Sequence, residues 1–443
     1  MGNQVIRHAD RWAALVLLAI ALMLFVPVIA QPGGLVYPPQ GDFSDLTITH
    51  WPNVEFALAN VRATGRFPLW RPTIMSGTPF VANPLSGLLY FPHVVFLVLP
   101  LAVGFNVLFM MHIWLTGCGA YALLRAWQVE RSPALVGALA WMATPRLFAH
   151  LGAGHVGMVE AVTWMPVAIW AAHRMVESRR VMGGVWLGAV WAVQFLADPR
   201  ISFYTVALSA AYILAVAAFT AKTPRPEENR DKVWYLVLAA ALVSILAFAV
   251  LSAMLWLPFV EFIGQSNRSA LALSEAGEWS LPVRQLLGLL LADWGGFHEW
   301  TVYVGILPLI LTLVAARRVL RISCSVLRAA RATRSTQYDL VIAWLGVCIL
   351  VAVLFSLGTN GPLFPILFQF LPGLTLLRVP PRAWFIVAFA VAMLCAFGIQ
   401  AMLQEARKPR GWMTLIGAAV AAFALLFGLG GFWLLRGNPR IIT

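Results

Sequence analysis

Charged residues are scarce in this chain, and acidic ones are the scarcest. Only 11% of the 443 residues are charged and 61% are hydrophobic, with 18 acidic against 31 basic residues. A water-soluble protein of this length does not need so much apolar surface, so the composition argues against an ordinary soluble enzyme. The net charge of +13 comes mostly from short segments between apolar runs, which is typical of the cytoplasmic loops of membrane proteins and argues against a nucleic-acid partner.

Cysteine is also rare, and its positions exclude two kinds of site. Three of the four cysteines fall in apolar runs, and the fourth lies in an arginine-rich segment, 317–334. No two share a polar loop, so we expect neither a disulfide nor a zinc site built from thiolates. The cysteines are Cys118, Cys324, Cys348 and Cys395. Glycine-rich nucleotide-binding patterns are absent in a suitable context, which makes a nucleotide ligand less favoured.

Long apolar runs are what the chain has in abundance. Runs of about 18 or more apolar residues match the length of a helix that crosses a bilayer, and in lipid the backbone must satisfy its own hydrogen bonds. The sequence therefore predicts an all-α fold, a single polytopic membrane domain over residues 1–443 with about eleven transmembrane helices. The predicted spans are 11–31, 102–126, 132–149, 157–177, 181–198, 201–220, 233–258, 301–318, 339–357, 382–403 and 411–436.

The distribution of lysine and arginine sets the orientation of these spans. Segment 85–100 is apolar but short and contains two prolines, and counting it as a span would invert the topology of everything after it. Leaving it outside as an interfacial or re-entrant helix places most basic loops, including 317–334, in the cytoplasm with the amino terminus. Residues 32–100, with interfacial helices, and 259–300 then form two large external loops, and we expect the polar residues near spans to gather on that external face.

The first of these loops carries a candidate acid–base residue, Asp45. A helix is predicted after it, because Pro52 suits a first helical turn and Gly65 suits a helix end. Val54 and Leu58 lie on its apolar face, so we expect this helix to rest on the membrane and hold Asp45 near the lipid headgroups. The alternative is that Asp45 only caps or anchors the loop.

Proline-rich patterns follow Gly65 and fix an irregular path of the chain. They are Gly65–Pro68–Leu69–Trp70–Pro72, Gly77–Pro79 and Ala82–Asn83–Pro84, and Arg378–Val379–Pro380–Pro381–Arg382 comes late in the sequence. In the order and spacing of these motifs the chain resembles the bacterial YfhO-like membrane proteins, a branch of the GT-C glycosyltransferase superfamily.

The resemblance implies a GT-C-like fold in the bacterial cytoplasmic membrane. It also implies an inverting transfer of a sugar from a polyprenyl-phosphate-linked donor to a glycan, lipid or protein acceptor on the external face. Asp45 would be the catalytic general base, at the position where such enzymes carry theirs. Arg378 and Arg382 would bind the lipid phosphate, since arginine suits bidentate phosphate contacts, and Trp70 and Asn83 would bind substrate.

A glycine-rich turn with two histidines follows the third predicted span. It reads Gly152–Ala153–Gly154–His155, and its glycines allow a close backbone approach. His155 is a candidate substrate-binding residue that would contact a phosphate, and the alternative is a polar turn at the membrane interface. With His150 and Glu160 it also forms a weak candidate for a metal site, because the spacing is irregular.

Asp198 and Arg200 close the fifth predicted span. They are candidates for substrate binding, and the alternative is a helix stop with a local ion pair. A divalent cation, Mg²⁺ or Mn²⁺, held by Asp45 and Asp198 is the candidate cofactor. Loop 259–300 interleaves charged residues with tryptophans, which either stack on sugar rings or mark the membrane interface.

Two other functions remain open at this point. A lipid or polysaccharide transporter or flippase would want charges near the bilayer midplane and related halves, and no internal repeat is visible. A non-catalytic subunit of a membrane complex would show no turnover on its own. Neither the sugar, the acceptor nor the oligomeric state follows from the sequence.

Overall fold

The structure, a computed structural model, describes residues 8–26, 33–35, 44–222, 230–266, 269, 271–292, 294, 296–328, 337–371 and 373–406. The described part is almost entirely helical, and its one sheet pairs β1 (Trp70–Arg71) antiparallel with β2 (Thr78–Pro79). Its α-helices are α1 (His8–Leu24), α2 (Trp51–Thr64), α3 (Leu101–Ala126), α4 (Arg131–Met142), α5 (Pro145–Gly152), α6 (Val156–Thr163), α7 (Met165–Ser178), α8 (Gly183–Ala197), α9 (Pro199–Lys222), α10 (Arg230–Gly264), α11 (Leu273–Ala276), α12 (Ile306–Arg328), α13 (Gln337–Ser356), α14 (Leu363–Phe370) and α15 (Trp384–Ala406).

Six stretches of the described chain are long and apolar enough to cross a membrane. They are Leu101–Ala126, Arg131–Gly152, Pro199–Ala221, Asp231–Gly264, Gln337–Ser356 and Pro380–Ala406, and two shorter apolar helices are Gly183–Ala197 and Ile306–Arg317. The predicted number of spans is therefore not confirmed. The last predicted span, 411–436, lies outside the described residues.

Two predicted segments have a different local structure from the one expected. The predicted span 157–177 consists of two shorter helices, α6 and α7, which meet at Trp164 just before Pro166. Proline has no backbone N–H, so Pro166 cannot complete the helical hydrogen bond to residue 162, and the helix is interrupted there. The predicted cytoplasmic loop 317–334 is helical as far as Arg328, and its side of the membrane stays a prediction.

Helix α15 lies at the centre of the described bundle, between α12, α13 and α4. In the apolar 18-residue stretch of the α15 span, 72% is buried inside the protein. In the corresponding stretch of the α10 span, only 22% is buried. The outer face of α10 is therefore the one that suits lipid. Its inner face packs tightly on α8, because a side chain at Gly184 or Gly188 would overlap the α10 backbone.

The segment between β2 and α3 contains no helix long enough to be a candidate span, and its interfacial placement stays a prediction. It contains short 3₁₀ turns at Pro84–Ser86 and Phe91–Leu97, as the proline content led us to expect. Helix α2 has Pro52 in its first turn and ends at Gly65 with φ of +69°. Its apolar face lines a crevice of about 220 Å³ shared with residues 86–97, so that face meets protein as well as any surrounding lipid.

Candidate active site at the cavity beside Asp45

A cavity of about 880 Å³ lies where several helices end. Its walls come from the start of the first loop, the α5–α6 turn, the α8–α9 junction, the end of α10, the loop before α12 and the segment before α15. Of the predicted site residues, seven line it: Asp45, Asn83, His155, Asp198, Arg200, Arg378 and Arg382. The segments predicted to share one face of the membrane thus do come together.

Asp45 begins the turn Leu46–His50, but its side chain does not cap that turn. The capping is done by Ser44 and Thr47, whose hydroxyls and backbone groups bond to each other. The carboxylate of Asp45 is 46% exposed, and its one ion contact in the described chain is His155, with 3.4 Å between Asp45 Oδ2 and His155 Nε2. Burial raises the pKa of Asp45, and the charges of Arg200 and Arg382 oppose that rise. The alternative role as a cap is therefore not supported.

The backbone of Asp45 is seated on the glycine-rich turn after α5. Its N–H donates to the carbonyl of Ala153 over 3.2 Å. Gly154 has φ of +80°, and a Cβ there would overlap the backbone nitrogen of Leu46 and lie 2.9 Å from its Cβ. Gly154 was expected to let a ligand approach the backbone closely, but the first loop occupies that space instead.

Gly154→Ala is expected to displace Asp45 from the cavity wall. Both the left-handed φ and the overlap with Leu46 disfavour a side chain, and together they should destabilise this turn by about 1–3 kcal/mol. The measurement is the thermal unfolding midpoint of the detergent-purified protein. Gly152→Ala is the matched control, since a Cβ there meets nothing within 4 Å. Equal midpoints for the two variants would contradict the seating of the first loop on this turn.

Behind Asp45 a chain of buried polar groups runs into the protein. His155 Nδ1 lies 2.7 Å from His150 Nδ1, and His150 Nε2 lies 3.7 Å from Glu299 Oε2. The other oxygen of Glu299 accepts hydrogen bonds from Arg382 Nε and Nη2, at 2.9 and 2.7 Å. Burial lowers the pKa of His155 to about 2, and the charges of Arg382 and His298 act in the same direction. His155 is therefore neutral at physiological pH.

Arg146 fixes the backbone around this chain of groups. Its guanidinium donates to the carbonyls of Pro381, Thr301 and Glu299 at 2.7, 3.0 and 3.2 Å, and it is fully buried. The loop before α12 and the segment before α15 are thus joined through one side chain of α5. A buried arginine inside an apolar run is a signal of function or of such a junction.

Asp198 and Arg200 form a closed pair at the start of α9. Asp198 Oδ1 accepts from the Arg200 backbone N–H at 2.8 Å, and Arg200 Nε and Nη2 donate to the carboxylate at 3.0 and 2.5 Å. Burial disfavours the charged form of Asp198, but the nearby guanidinium outweighs it and lowers the pKa. A cation shared by Asp45 and Asp198 would have to compete with Arg200, so that metal site stays a prediction.

Arg378, just before the α15 span, and Arg382, at its start, differ in how exposed their side chains are. Arg378 is 34% exposed at its side chain, pairs with Glu278 and lies over the Trp279 ring, 5.5 Å from its centre. Arg382 is only 7% exposed and is held by Glu299. Arg378 is thus the one that a ligand in the cavity reaches without breaking a buried ion pair.

Asn83 has a structural role besides its place on the cavity wall, and Trp70 and Glu160 lie outside the expected site. Asn83 lines the cavity, but its side chain oxygen also caps a 3₁₀ turn by accepting from the Leu85 N–H at 3.0 Å. Trp70 is 54% exposed and is not among the residues of the cavity wall; it covers Gly77. Glu160 does not join the two histidines as a metal ligand, because it is bound to His93, 2.8 Å away, in a separate buried cluster.

The solved structures that resemble this chain include a membrane protein of an archaeon. The archaeal oligosaccharyltransferase AglB from Archaeoglobus fulgidus, solved in complex with an inhibitory peptide and a dolichol-phosphate, superposes with a TM-score of 0.45 at 13% sequence identity. The match covers 95% of this chain and 55% of that one, so the chain spans about half the length of that structure. No residue role follows from a likeness of this strength.

No family model matches the chain, and no curated protein matches it. The resemblance to YfhO-like proteins therefore stays a prediction.

Proposed function

We propose that this chain is a membrane glycosyltransferase that moves a sugar from a polyprenyl-phosphate-linked donor to an acceptor hydroxyl, with inversion. The observation that carries the proposal is the state of Asp45: a carboxylate that caps nothing, faces a cavity of about 880 Å³ and shares its wall with Arg200, Arg378 and Arg382. A free base beside phosphate-binding side chains is what transfer from a sugar phosphate requires.

In the proposed reaction the acceptor oxygen attacks the anomeric carbon as Asp45 takes the hydroxyl proton. The bond from that carbon to the phosphate oxygen breaks, and its electron pair leaves with the polyprenyl phosphate. Phosphate is a good leaving group, so one carboxylate on the acceptor side is sufficient for inversion. The arginines of the cavity stabilise the negative charge of the leaving phosphate.

The apolar helices around the cavity support a donor with a lipid tail. Phe259, Phe262 and Ile263, at the end of α10, line the cavity beside its polar wall. The outer face of the same helix carries exposed apolar residues. Apolar side chains of one helix thus occur both at the cavity wall and on the outer surface, which suits a donor with a prenyl chain better than a water-soluble nucleotide sugar.

The direct test is a transfer assay with the purified full-length chain in lipid nanodiscs. A panel of synthetic polyprenyl-phosphate monosaccharides is offered with a lipid and glycan extract as acceptor, and release of polyprenyl phosphate is followed by mass spectrometry. Multiple turnovers with at least one donor support the proposal. Movement of donor across proteoliposomes without cleavage would identify a flippase instead, and no turnover unless partner proteins are added would identify an assembly subunit.

Arg378→Gln is expected to weaken donor binding. Losing one charge-assisted contact to a phosphate costs about 1.5–3 kcal/mol, so the KM for the donor should rise about 10- to 150-fold, with a smaller change in kcat. Arg66→Gln, an exposed arginine that is not on the cavity wall, is the control. An unchanged KM in the Arg378 variant would reduce this residue to the partner of Glu278 and Trp279.

A further inference from the structure

Two buried polar atoms beside the cavity lack a hydrogen-bond partner within the described chain. They are His150 Nε2 and Glu299 Oε2, which lie 3.7 Å apart, and both side chains are fully buried. A buried polar atom left unpaired is unfavourable, because it has given up its hydrogen bonds to water. Because the two unpaired atoms face each other, a ligand between them would satisfy both.

The protons of His150 and His155 can be placed in two ways, and neither placement brings His150 Nε2 and Glu299 Oε2 within hydrogen-bond distance. Since the Nδ1 atoms of His150 and His155 lie 2.7 Å apart, one ring donates and the other accepts. If His155 donates, its Nε2 lone pair faces the Asp45 carboxylate; if His150 donates, its Nε2 lone pair faces the Glu299 carboxylate. In the second arrangement an imidazole lone pair and a carboxylate oxygen face each other over 3.7 Å, and a cation between them would contact both.

We propose that His150, His155 and Glu299 bind a Zn²⁺ ion at the edge of the cavity. Ligand atoms of the three side chains lie within 4.8 Å of one another. Two atoms that are each about 2.1 Å from one zinc ion are at most about 4.2 Å apart. The His150–Glu299 pair already meets this limit at 3.7 Å, and the ligand atom of His155, which lies within 4.8 Å of the other two, would have to move closer. Two histidines and one glutamate leave a fourth zinc position open, as in catalytic zinc sites.

The surrounding charges favour zinc over magnesium. Arg382 donates a hydrogen bond to one oxygen of Glu299, and Arg146 Nη2 lies 3.6 Å from the other oxygen. The carboxylate of Glu299 therefore attracts a cation less strongly than a carboxylate without arginine partners would. Mg²⁺ depends on oxygen ligands and near-octahedral geometry, whereas Zn²⁺ binds well to neutral imidazole. This site differs from the Mg²⁺ or Mn²⁺ site predicted at Asp45 and Asp198.

The zinc site borders the proposed base. Asp45 Oδ2 lies 3.4 Å from His155 Nε2, so the ion would be separated from Asp45 by one side chain. An open zinc position there would take an oxygen of the donor phosphate or of the acceptor. That last role rests on the proposed function, but the binding of zinc does not.

Zinc binding is measured on the full-length protein in detergent. The protein is stripped with a chelator, dialysed against Zn²⁺ alone and analysed for metal content, with affinity taken from competition with a chromogenic chelator. We expect one Zn²⁺ per chain, and Co²⁺ in its place should give the visible absorption bands of a four-coordinate site. His155→Gln and Glu299→Gln should each lower the affinity at least about 100-fold.

His173→Gln is the control, because His173 is also buried but bonds to Tyr212, 2.7 Å away, and does not contact the proposed zinc ligands. Thermal unfolding of each variant separates loss of zinc from loss of fold. A wild-type protein without bound zinc, full stoichiometry in His155→Gln, or an equal loss in His173→Gln would each overturn the proposal. Zinc binding without any sugar transfer would leave the metal site standing and refute the proposed function.

Discussion

Asp45→Asn is expected to reduce sugar transfer by about 10²–10⁴-fold, the usual contribution of a general base, in a protein that remains folded. The amide keeps the shape of the carboxylate but cannot take the proton of the acceptor. The fold should survive, because Ser44 and Thr47 cap the turn and the Asp45 side chain does not. The measurement is donor turnover at saturating acceptor, with the thermal unfolding midpoint recorded for the same sample.

Two controls sharpen this result. Glu55→Gln removes an exposed carboxylate on α2, in the same loop but outside the cavity wall, and should leave turnover unchanged. Asp42→Asn, at a position outside the described residues, should have a much smaller effect than Asp45→Asn. Near wild-type turnover in Asp45→Asn would refute its role as base. Equal losses at positions 42 and 45 would indicate a metal that both carboxylates bind.

The sequence predicted which residues meet at the site better than it predicted how they bond. Asp45, His155, Asp198 and Arg382 were expected on one face because charge in the loops orients successive spans, and the cavity brings them together. That argument uses only the order of the spans and the side on which each ends. It is therefore sensitive to the number of spans, and the break at Trp164 leaves it intact only where the two short helices together cross the membrane as the single predicted helix would.

Pairings between distant residues could not be predicted in the same way. Arg382 and Glu299 are 83 positions apart, and nothing in either local pattern names the other. Glu160 is closer to His155 in sequence than Glu299 is, yet it bonds to His93 instead. Which residues of two helices face each other depends on the break at each proline and on packing against several neighbours. A single sequence does not contain that information. The buried Arg146 was the one available signal, since an arginine within an apolar run needs partners.

The pairing changes what Arg382→Ala is expected to do. From the sequence alone, this variant should weaken donor use and leave the fold intact. In the structure Glu299 is fully buried and receives two hydrogen bonds from Arg382. Removing one partner of a buried ion pair leaves an uncompensated charge, which costs about 3–5 kcal/mol. Arg382→Ala should therefore show a large fall in the thermal unfolding midpoint, whether or not a donor is present.

Arg378→Ala is the matched control for that loss of stability. Its ion pair with Glu278 is more than one-third exposed on the glutamate side, and exposed pairs contribute about 0–1 kcal/mol. The double variant Arg382→Met with Glu299→Leu removes both charges at once and should recover only part of the stability lost in Arg382→Ala, because the buried Arg146, 3.6 Å from Glu299, then loses its carboxylate neighbour. If Arg382→Ala instead unfolds at the same temperature as Arg378→Ala, Arg146 alone is sufficient to neutralise Glu299, and Arg382 becomes available for the donor phosphate after all.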